Sequence, residues 1–79
     1  MNPLKEKRQQ LKLTREEISK RLNVSIYTIN EWECGRKIPK GCMLLDIKFA
    51  YEMTNLELIE YLKYLKSKKK EWYKWIVHM

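Results

Sequence analysis

The feature that most constrains this chain is a sharp break between two helical stretches at Asn23. The capping box Thr14–Glu17, in which two side chains satisfy each other's backbone donors, predicts a helix over about 15–22. Asn tolerates a left-handed backbone better than most residues other than Gly, so Asn23 is expected to end this helix and turn the chain. Ser25 then caps the next helix, predicted over about 26–34. The two helices are therefore joined by a very short connection.

Three more helices are predicted around this pair. The first is expected over 3–11, because Asn2 can cap it and Pro3 suits its first position. The fourth is expected over about 41–52, and the capping box Thr54–Glu57 opens the fifth. The sequence carries no strand signal, so it predicts an all-α fold. With 79 residues, the five helices must share one compact core.

The core is predicted from the apolar faces of these helices. The fourth helix has an apolar stripe too wide for an exposed helix, so we expect it to be the central packing element. This stripe comprises Leu44, Leu45, Ile47, Ala50 and Tyr51. The fifth helix is expected to carry its apolar residues on one side, at Leu58, Ile59, Leu62 and Leu65.

The third helix has an unusual outward face. Ile29 and Trp32 are about one turn apart and are expected to point inward. A step of about 100 degrees per residue places a mixed set of side chains on the opposite, solvent side. These outward residues are Tyr27, Glu31 and Cys34, flanked by Ile26 and Asn30.

The charge balance indicates a polyanionic partner. The chain has 17 Lys and Arg against 10 Asp and Glu, for a formal net charge of +7. Nucleic acid is the first expectation and an acidic membrane surface the second. No apolar run approaches the roughly 20 residues of a transmembrane helix, and the first four residues begin no hydrophobic signal segment. The expected location is the cytoplasm.

The residues needed for metal binding or catalysis are sparse. Cys34 and Cys42 lack a Cys-x-x-Cys spacing, and the only His is His78, so neither a zinc site nor a Cys-His pair can be assembled. No paired carboxylates or Gly-rich phosphate loop is evident either. We therefore expect two reduced thiols, no metal, no cofactor and no enzymatic activity.

A longer pattern runs from Leu13 to Trp32. Its apolar positions are Ile18, Leu22, Val24, Ile29 and Trp32, with a small residue at Ser19. This pattern resembles the helix-turn-helix of phage repressors and Cro proteins, often called the XRE family. The resemblance continues through Gly35 and Pro39 and covers roughly residues 4 to 60. It implies a compact five-helix domain over 1–65 whose third helix recognises DNA.

Three positions depart from the family pattern. Asn23, Lys12 and Glu52 stand where the family commonly has Gly. Asn23 is easily accommodated, whereas Lys12 and Glu52 suggest altered turns. The resemblance also implies an ion pair between Arg8 of the first helix and Glu33 at the end of the third. We interpret this pair as structural, because breaking a buried ion pair leaves one charge without a partner.

The resemblance implies two sets of DNA contacts. The base-reading set comprises Ile26, Tyr27, Asn30 and Glu31. Ile26 would contact a thymine methyl group, and Asn30 would hydrogen-bond to an adenine. Glu31 would accept a hydrogen bond from a cytosine amino group. The phosphate-contacting set comprises Thr14, Arg15, Ser25, Thr28, Arg36, Lys37 and Lys40.

These assignments have structural alternatives. Ile26 and Tyr27 would otherwise cover an edge of the core, and the Lys residues of the loop would be solvated. An acid such as Glu31 would otherwise act only by repelling wrong sites.

The last segment, 66–79, extends beyond the family domain and combines Lys residues with aromatics. If the fifth helix continues through it, an apolar seam favours a homodimer. The predicted interface comprises Leu58, Leu62, Leu65, Trp72, Trp75 and Ile76. Two alternatives remain open: the aromatics fold back onto the core, or the segment lies on a membrane surface.

The functional prediction is a sequence-specific regulator that binds double-stranded DNA, expected to be a dimeric repressor reading a palindromic operator. Small regulators of this kind are often encoded by phages and other mobile elements, so a phage or prokaryotic origin is expected by association. The alternative is an antitoxin-like module that binds a protein partner through its tail and uses DNA binding for autoregulation. A third possibility is RNA or membrane binding through the Lys and Trp residues of the tail.

Overall fold

A computed structural model describes residues 2–77, with side chains described through Lys68. Within this range the chain forms helices and no strands, which confirms the predicted all-α fold with five α-helices. A single turn of 3-10 helix, Gly41–Met43, precedes the fourth of them. The α-helices are α1 (Pro3–Gln10), α2 (Arg15–Leu22), α3 (Ile26–Glu33), α4 (Leu44–Ala50) and α5 (Asn55–Val77).

Side-chain caps define where four of the helices begin. Asn2 accepts from the backbone N–H of Leu4 at 2.9 Å, and Ser25 accepts from Thr28 at 3.1 Å. Both bonds of the Thr14–Glu17 capping box are present, and so are both bonds of Thr54–Glu57. Each such cap contributes about 1 kcal/mol, because it satisfies backbone donors that have no partner within the helix.

The first four helices end in the same backbone motif. A residue one or two positions after each of these helices has a positive φ: 57° at Lys12, 54° at Asn23, 76° at Gly35 and 50° at Glu52. The next residue donates its N–H to the carbonyl five positions back, which is the Schellman arrangement. The expectation of altered turns is therefore not met at Lys12 and Glu52. Both residues adopt the left-handed conformation, at a cost of about 1 to 2 kcal/mol each relative to Gly.

The core draws on every helix. Six large side chains are almost fully enclosed, namely Leu4, Ile18, Ile29, Ile47, Tyr51 and Tyr61. Two expectations for the core are wrong in part. Leu45, predicted in the buried stripe of α4, is 60% exposed. On α5 the buried side is formed by Tyr61 and Leu65, whereas Ile59 and Leu62 are exposed.

The difference on α5 has a simple cause. Apolar and aromatic residues occur all around its first half, so the helical period alone does not fix which side packs inward. Leu65, predicted in a dimer interface, is only 8% exposed in a single chain and belongs to the core. Leu58 is half-buried. The side chains of Trp72, Trp75 and Ile76 lie outside the described residues.

Although α5 has 23 residues, neither it nor any other helix in the described part of the chain has an apolar stretch that could span a bilayer.

Candidate nucleic-acid interface

The short turn at Asn23 fixes α3 against α2. Ile18 on α2 and Ile29 and Trp32 on α3 are buried in one cluster, and Val24 in the turn packs against it. The inner face of α3 is therefore held by apolar contacts. Its opposite face extends away from this cluster.

A buried ionic network holds the last turn of α3. Arg8 and Glu33 form a two-pronged pair, with Arg8 Nε 2.9 Å from Oε2 and Nη2 3.0 Å from Oε1. The Glu33 side chain is fully buried. The Arg15 Nε donates to its Oε1 at 3.2 Å, and the Tyr51 hydroxyl donates to its Oε2 at 3.0 Å. One carboxylate therefore joins α1, α2 and the end of α4 to α3.

The network shifts the acidity of its donors. The hydrogen bonds to Glu33 raise the pKa of Arg8 above its usual value, against the opposing effect of burial. Burial raises the pKa of the Tyr51 hydroxyl, and the nearby Glu33 charge raises it further. Both groups therefore stay protonated as donors. The pairing of Arg8 with Glu33 followed from the family pattern, whereas nothing in the sequence signalled the contributions of Arg15 and Tyr51.

The first turn of α3 presents apolar side chains to solvent. Tyr27 is 63% exposed and Ile26 is 45% exposed. Asn30, one turn later, is half-buried, and its Oδ1 accepts a weak hydrogen bond from the exposed Cys34 thiol at 3.7 Å. The Lys37 ammonium lies 5.6 Å above the centre of the Tyr27 ring, within the range of a cation–π contact.

Glu31 lies elsewhere than the sequence predicts. It was expected on the solvent side of α3, but it is only 4% exposed. Its Oε1 accepts from Arg36 Nη1 at 3.1 Å. The backbone N–H groups of Arg36 and Lys37 also bond to the Glu31 carbonyl oxygen, so the chain after α3 contacts a position that the helical period alone leaves in solvent.

The predicted phosphate-contacting residues fall into two groups. Four lie at the starting ends of α2 and α3, where backbone N–H groups attract anions. Among these, the Ser25 and Thr28 hydroxyls are 2.9 Å apart, and Arg15 is partly engaged by Glu33. The second group, Arg36, Lys37 and Lys40, is exposed in the loop after α3. Because Lys37 reaches the Tyr27 ring, this loop lies beside the exposed first turn of α3.

The surface thus combines an exposed helical turn with flanking cations and hydroxyls. A search against protein families matched a family described as helix-turn-helix over residues 4–47, which is more than half of the chain. The chain belongs to the XRE family of helix-turn-helix proteins. As an XRE-family protein it is a DNA-binding regulator. Searches of curated proteins and of solved structures returned no match.

The match covers the XRE-family domain from α1 into α4, which includes the whole α2–α3 unit and the basic loop. XRE-family proteins of this kind are regulators and are not typically enzymes. In the part of the chain with described side chains, no group of three or more His, Cys, Asp or Glu residues could hold a metal ion.

Proposed function

We propose that this XRE-family protein is a dimeric repressor that reads a palindromic operator by placing α3 in the major groove. The observation that carries this proposal is the exposure of Tyr27 and Ile26 on a helix whose opposite face is fully packed. Adjacent exposed apolar side chains on a rigid helix form a patch of the kind that marks an interaction surface. The major groove accommodates an α-helix and offers thymine methyl groups.

Three residues of α3 are proposed to read bases. Ile26 contacts a thymine methyl group, and Tyr27 contacts a base or an adjacent phosphate. Asn30 hydrogen-bonds to adenine, and the hydrogen bond from the Cys34 thiol orients its amide before binding. Glu31 is not included, because its carboxylate is buried and engaged by Arg36.

Phosphate contacts are proposed on both sides of these base readers. They fix the register of the protein on the duplex and supply most of the salt-dependent affinity. The residues are Thr14, Arg15, Ser25 and Thr28 at the helix starts and Arg36, Lys37 and Lys40 in the basic loop.

A dimer interface is proposed on the outer sides of α4 and α5. Five large apolar side chains are exposed on these two helices, and we term them together the α4–α5 apolar surface: Leu45, Phe49, Leu56, Ile59 and Leu62. Exposed residues of this kind indicate a protein contact, and a second copy would cover them in a symmetric pair. The proposed interface therefore differs from the apolar seam expected from the sequence, because Leu65 is buried in the core of a single chain.

Selection of bound duplexes from a random pool tests the DNA-reading proposal. The expected product is a palindrome whose half-sites are centred about 34 Å apart, one helical turn of B-DNA. Enrichment of a single half-site would contradict the dimer while leaving the role of α3 intact. Absence of any enriched sequence would contradict the proposed function itself.

The α4–α5 apolar surface also favours a second candidate function, an antitoxin-like module that binds another protein. Sedimentation of the purified chain separates the two. A self-sufficient dimer that becomes monomeric with Leu56→Glu, but not with Glu60→Gln, supports the repressor. A monomer that forms a stable complex only with a protein encoded beside it supports the second candidate.

A further inference from the structure

Glu31 is a buried carboxylate on the helix proposed to enter DNA, and the proposed function gives it no role. Its side chain is 6% exposed, whereas the side chain of Arg36 is 65% exposed. Their contact joins Oε1 to Nη1 at 3.1 Å. An acid buried to this extent requires a charged or hydrogen-bonding partner, and Arg36 supplies one.

The main chain reinforces this side-chain contact. The backbone N–H groups of Arg36 and Lys37 donate to the carbonyl oxygen of Glu31 at 3.0 and 3.4 Å. The Lys37 ammonium, in turn, lies over the Tyr27 ring on the same helix. The first two residues of the basic loop are therefore attached to α3 through both backbone and side chains.

The geometry leaves Arg36 able to bind an anion while it is held. A guanidinium carries five N–H donors in a planar fork, and the contact with Glu31 uses Nη1 only. Most of the Arg36 side chain faces solvent, and the ammonium of its neighbour Lys37 lies over Tyr27 in the exposed turn of α3. The remaining donors are therefore placed where a phosphate of a bound duplex would pass.

We propose that Glu31 is a positioning residue that orients Arg36 to clamp a DNA phosphate. This inference rests on the proposed function, because it requires α3 to lie in the major groove. Its energetic basis is preorganisation: the rotamers of a long side chain are restricted before binding, so less entropy is lost when the phosphate contact forms. Glu31 itself does not touch DNA.

Three accounts of Glu31 predict different effects of Glu31→Gln. If the carboxylate only repels DNA, the substitution tightens binding to every duplex. If it reads a cytosine, binding weakens on the operator and the preference changes at one base pair. If it positions Arg36, binding weakens on all duplexes by the same factor, although one negative charge has been removed.

A double-mutant cycle measured by fluorescence anisotropy distinguishes these accounts. It compares the unsubstituted chain, Glu31→Gln, Arg36→Gln and the double variant, each on the selected operator and on an unrelated duplex. We expect Glu31→Gln to weaken binding roughly two- to tenfold on both duplexes. Arg36→Gln should weaken it at least as much and lower the salt slope by about one. The double variant should bind like Arg36→Gln alone, since Glu31 acts only through Arg36.

Controls separate positioning from a general loss of structure. Glu60→Gln removes the same charge from a groove between α1 and α5, lined also by Pro3 and Glu6, and should leave affinity nearly unchanged. Arg36→Gln leaves the buried Glu31 carboxylate without its charged partner and should lower stability, so its affinity is compared after correction for the folded fraction. Thermal unfolding of each variant in the binding buffer verifies that each is folded at the temperature at which affinities are compared.

Two results would overturn the inference alone. One is tighter operator binding by Glu31→Gln, and the other is an equal loss from Glu31→Gln whether or not Arg36 is present. Failure of the unsubstituted chain to bind any duplex would overturn the proposed function and, with it, this inference. The two failures are therefore distinguishable within one set of titrations.

Discussion

Apolar side chains are usually buried and charged ones exposed, but the two ends of α3 depart from this rule, each in its own way. Its first turn exposes Ile26 and Tyr27, which are large and apolar, whereas its last turn buries Glu31 and Glu33, which are charged. Buried charges persist only when they are paired, and a patch of adjacent exposed apolar groups marks a contact surface. The comparison shows a helix anchored to the domain by ionic contacts at one end, with its apolar contact residues exposed at the other.

The largest effect is expected at the anchored end. Glu33→Ala removes a fully buried carboxylate that accepts from Arg8, Arg15 and Tyr51, and it leaves the buried Arg8 guanidinium without a charged partner. We expect the free energy of unfolding to fall by about 3 to 5 kcal/mol. Urea denaturation followed by circular dichroism measures this change. A loss below 1 kcal/mol, no larger than that of the exposed control Glu6→Ala, would contradict the anchoring role.

Substitution at the exposed end should separate binding from stability. Tyr27→Ala is expected to weaken operator binding by about 1 to 3 kcal/mol while changing stability little, because the side chain is 63% exposed. Weak binding to unrelated duplexes should remain. The control Tyr27→Phe keeps the ring and isolates the hydroxyl. Equal losses on operator and unrelated duplexes would remove Tyr27 from the base readers.

The turn that follows the anchored end offers a matched pair of glycines. Gly35 has a φ of 76°, and a Cβ added there would lie 2.7 Å from the Tyr64 hydroxyl oxygen. Gly35→Ala should therefore destabilise the protein by about 1 to 2 kcal/mol. Gly41→Ala is the control, since an added Cβ there meets nothing within 4 Å. Equal thermal stability of the two variants would show that the turn after α3 is not constrained.

The smallest effect is expected in the basic loop beside the exposed end. Lys37→Ala should weaken binding to all sequences alike, by up to about 1 kcal/mol, and reduce the salt slope by about one. Lys63→Ala removes the same charge from an exposed position on α5 and serves as the control. A change in sequence preference with Lys37→Ala would instead assign the residue a role in base reading, through its contact with Tyr27.

The sequence predicted the starts of the four capped helices more reliably than the faces of the helices. The fourth helix has no side-chain cap, and it spans Leu44–Ala50 instead of the expected 41–52. Capping side chains act within a few residues, so Thr14, Ser25 and Thr54 could be assigned their bonds from sequence alone. The turn at Asn23 was equally local. Lys12 and Glu52 were misjudged because a non-Gly residue in a left-handed conformation is disfavoured by itself, and the hydrogen bonds that close the Schellman motif offset that cost.

Positions that depend on distant segments could not be predicted. The helical period places Glu31 in solvent, but the carboxylate is buried and bonded to Arg36 of the following loop. The helical period likewise does not determine which side of α5 is buried, since Tyr61 is buried in the core whereas Ile59 is exposed. Both outcomes follow from tertiary packing, which overrides local pattern. The pairing of Arg8 with Glu33 could be predicted only from the family resemblance, which relates residues on separate helices.

The most direct test of this account is an NMR measurement of the chain bound to its selected duplex, reading intermolecular nuclear Overhauser effects from Ile26 and Tyr27. The account predicts that the Ile26 methyl groups and the Tyr27 ring protons lie close to base protons in the major groove. Contacts of both residues with a second protein chain only, and with no base proton, would contradict it.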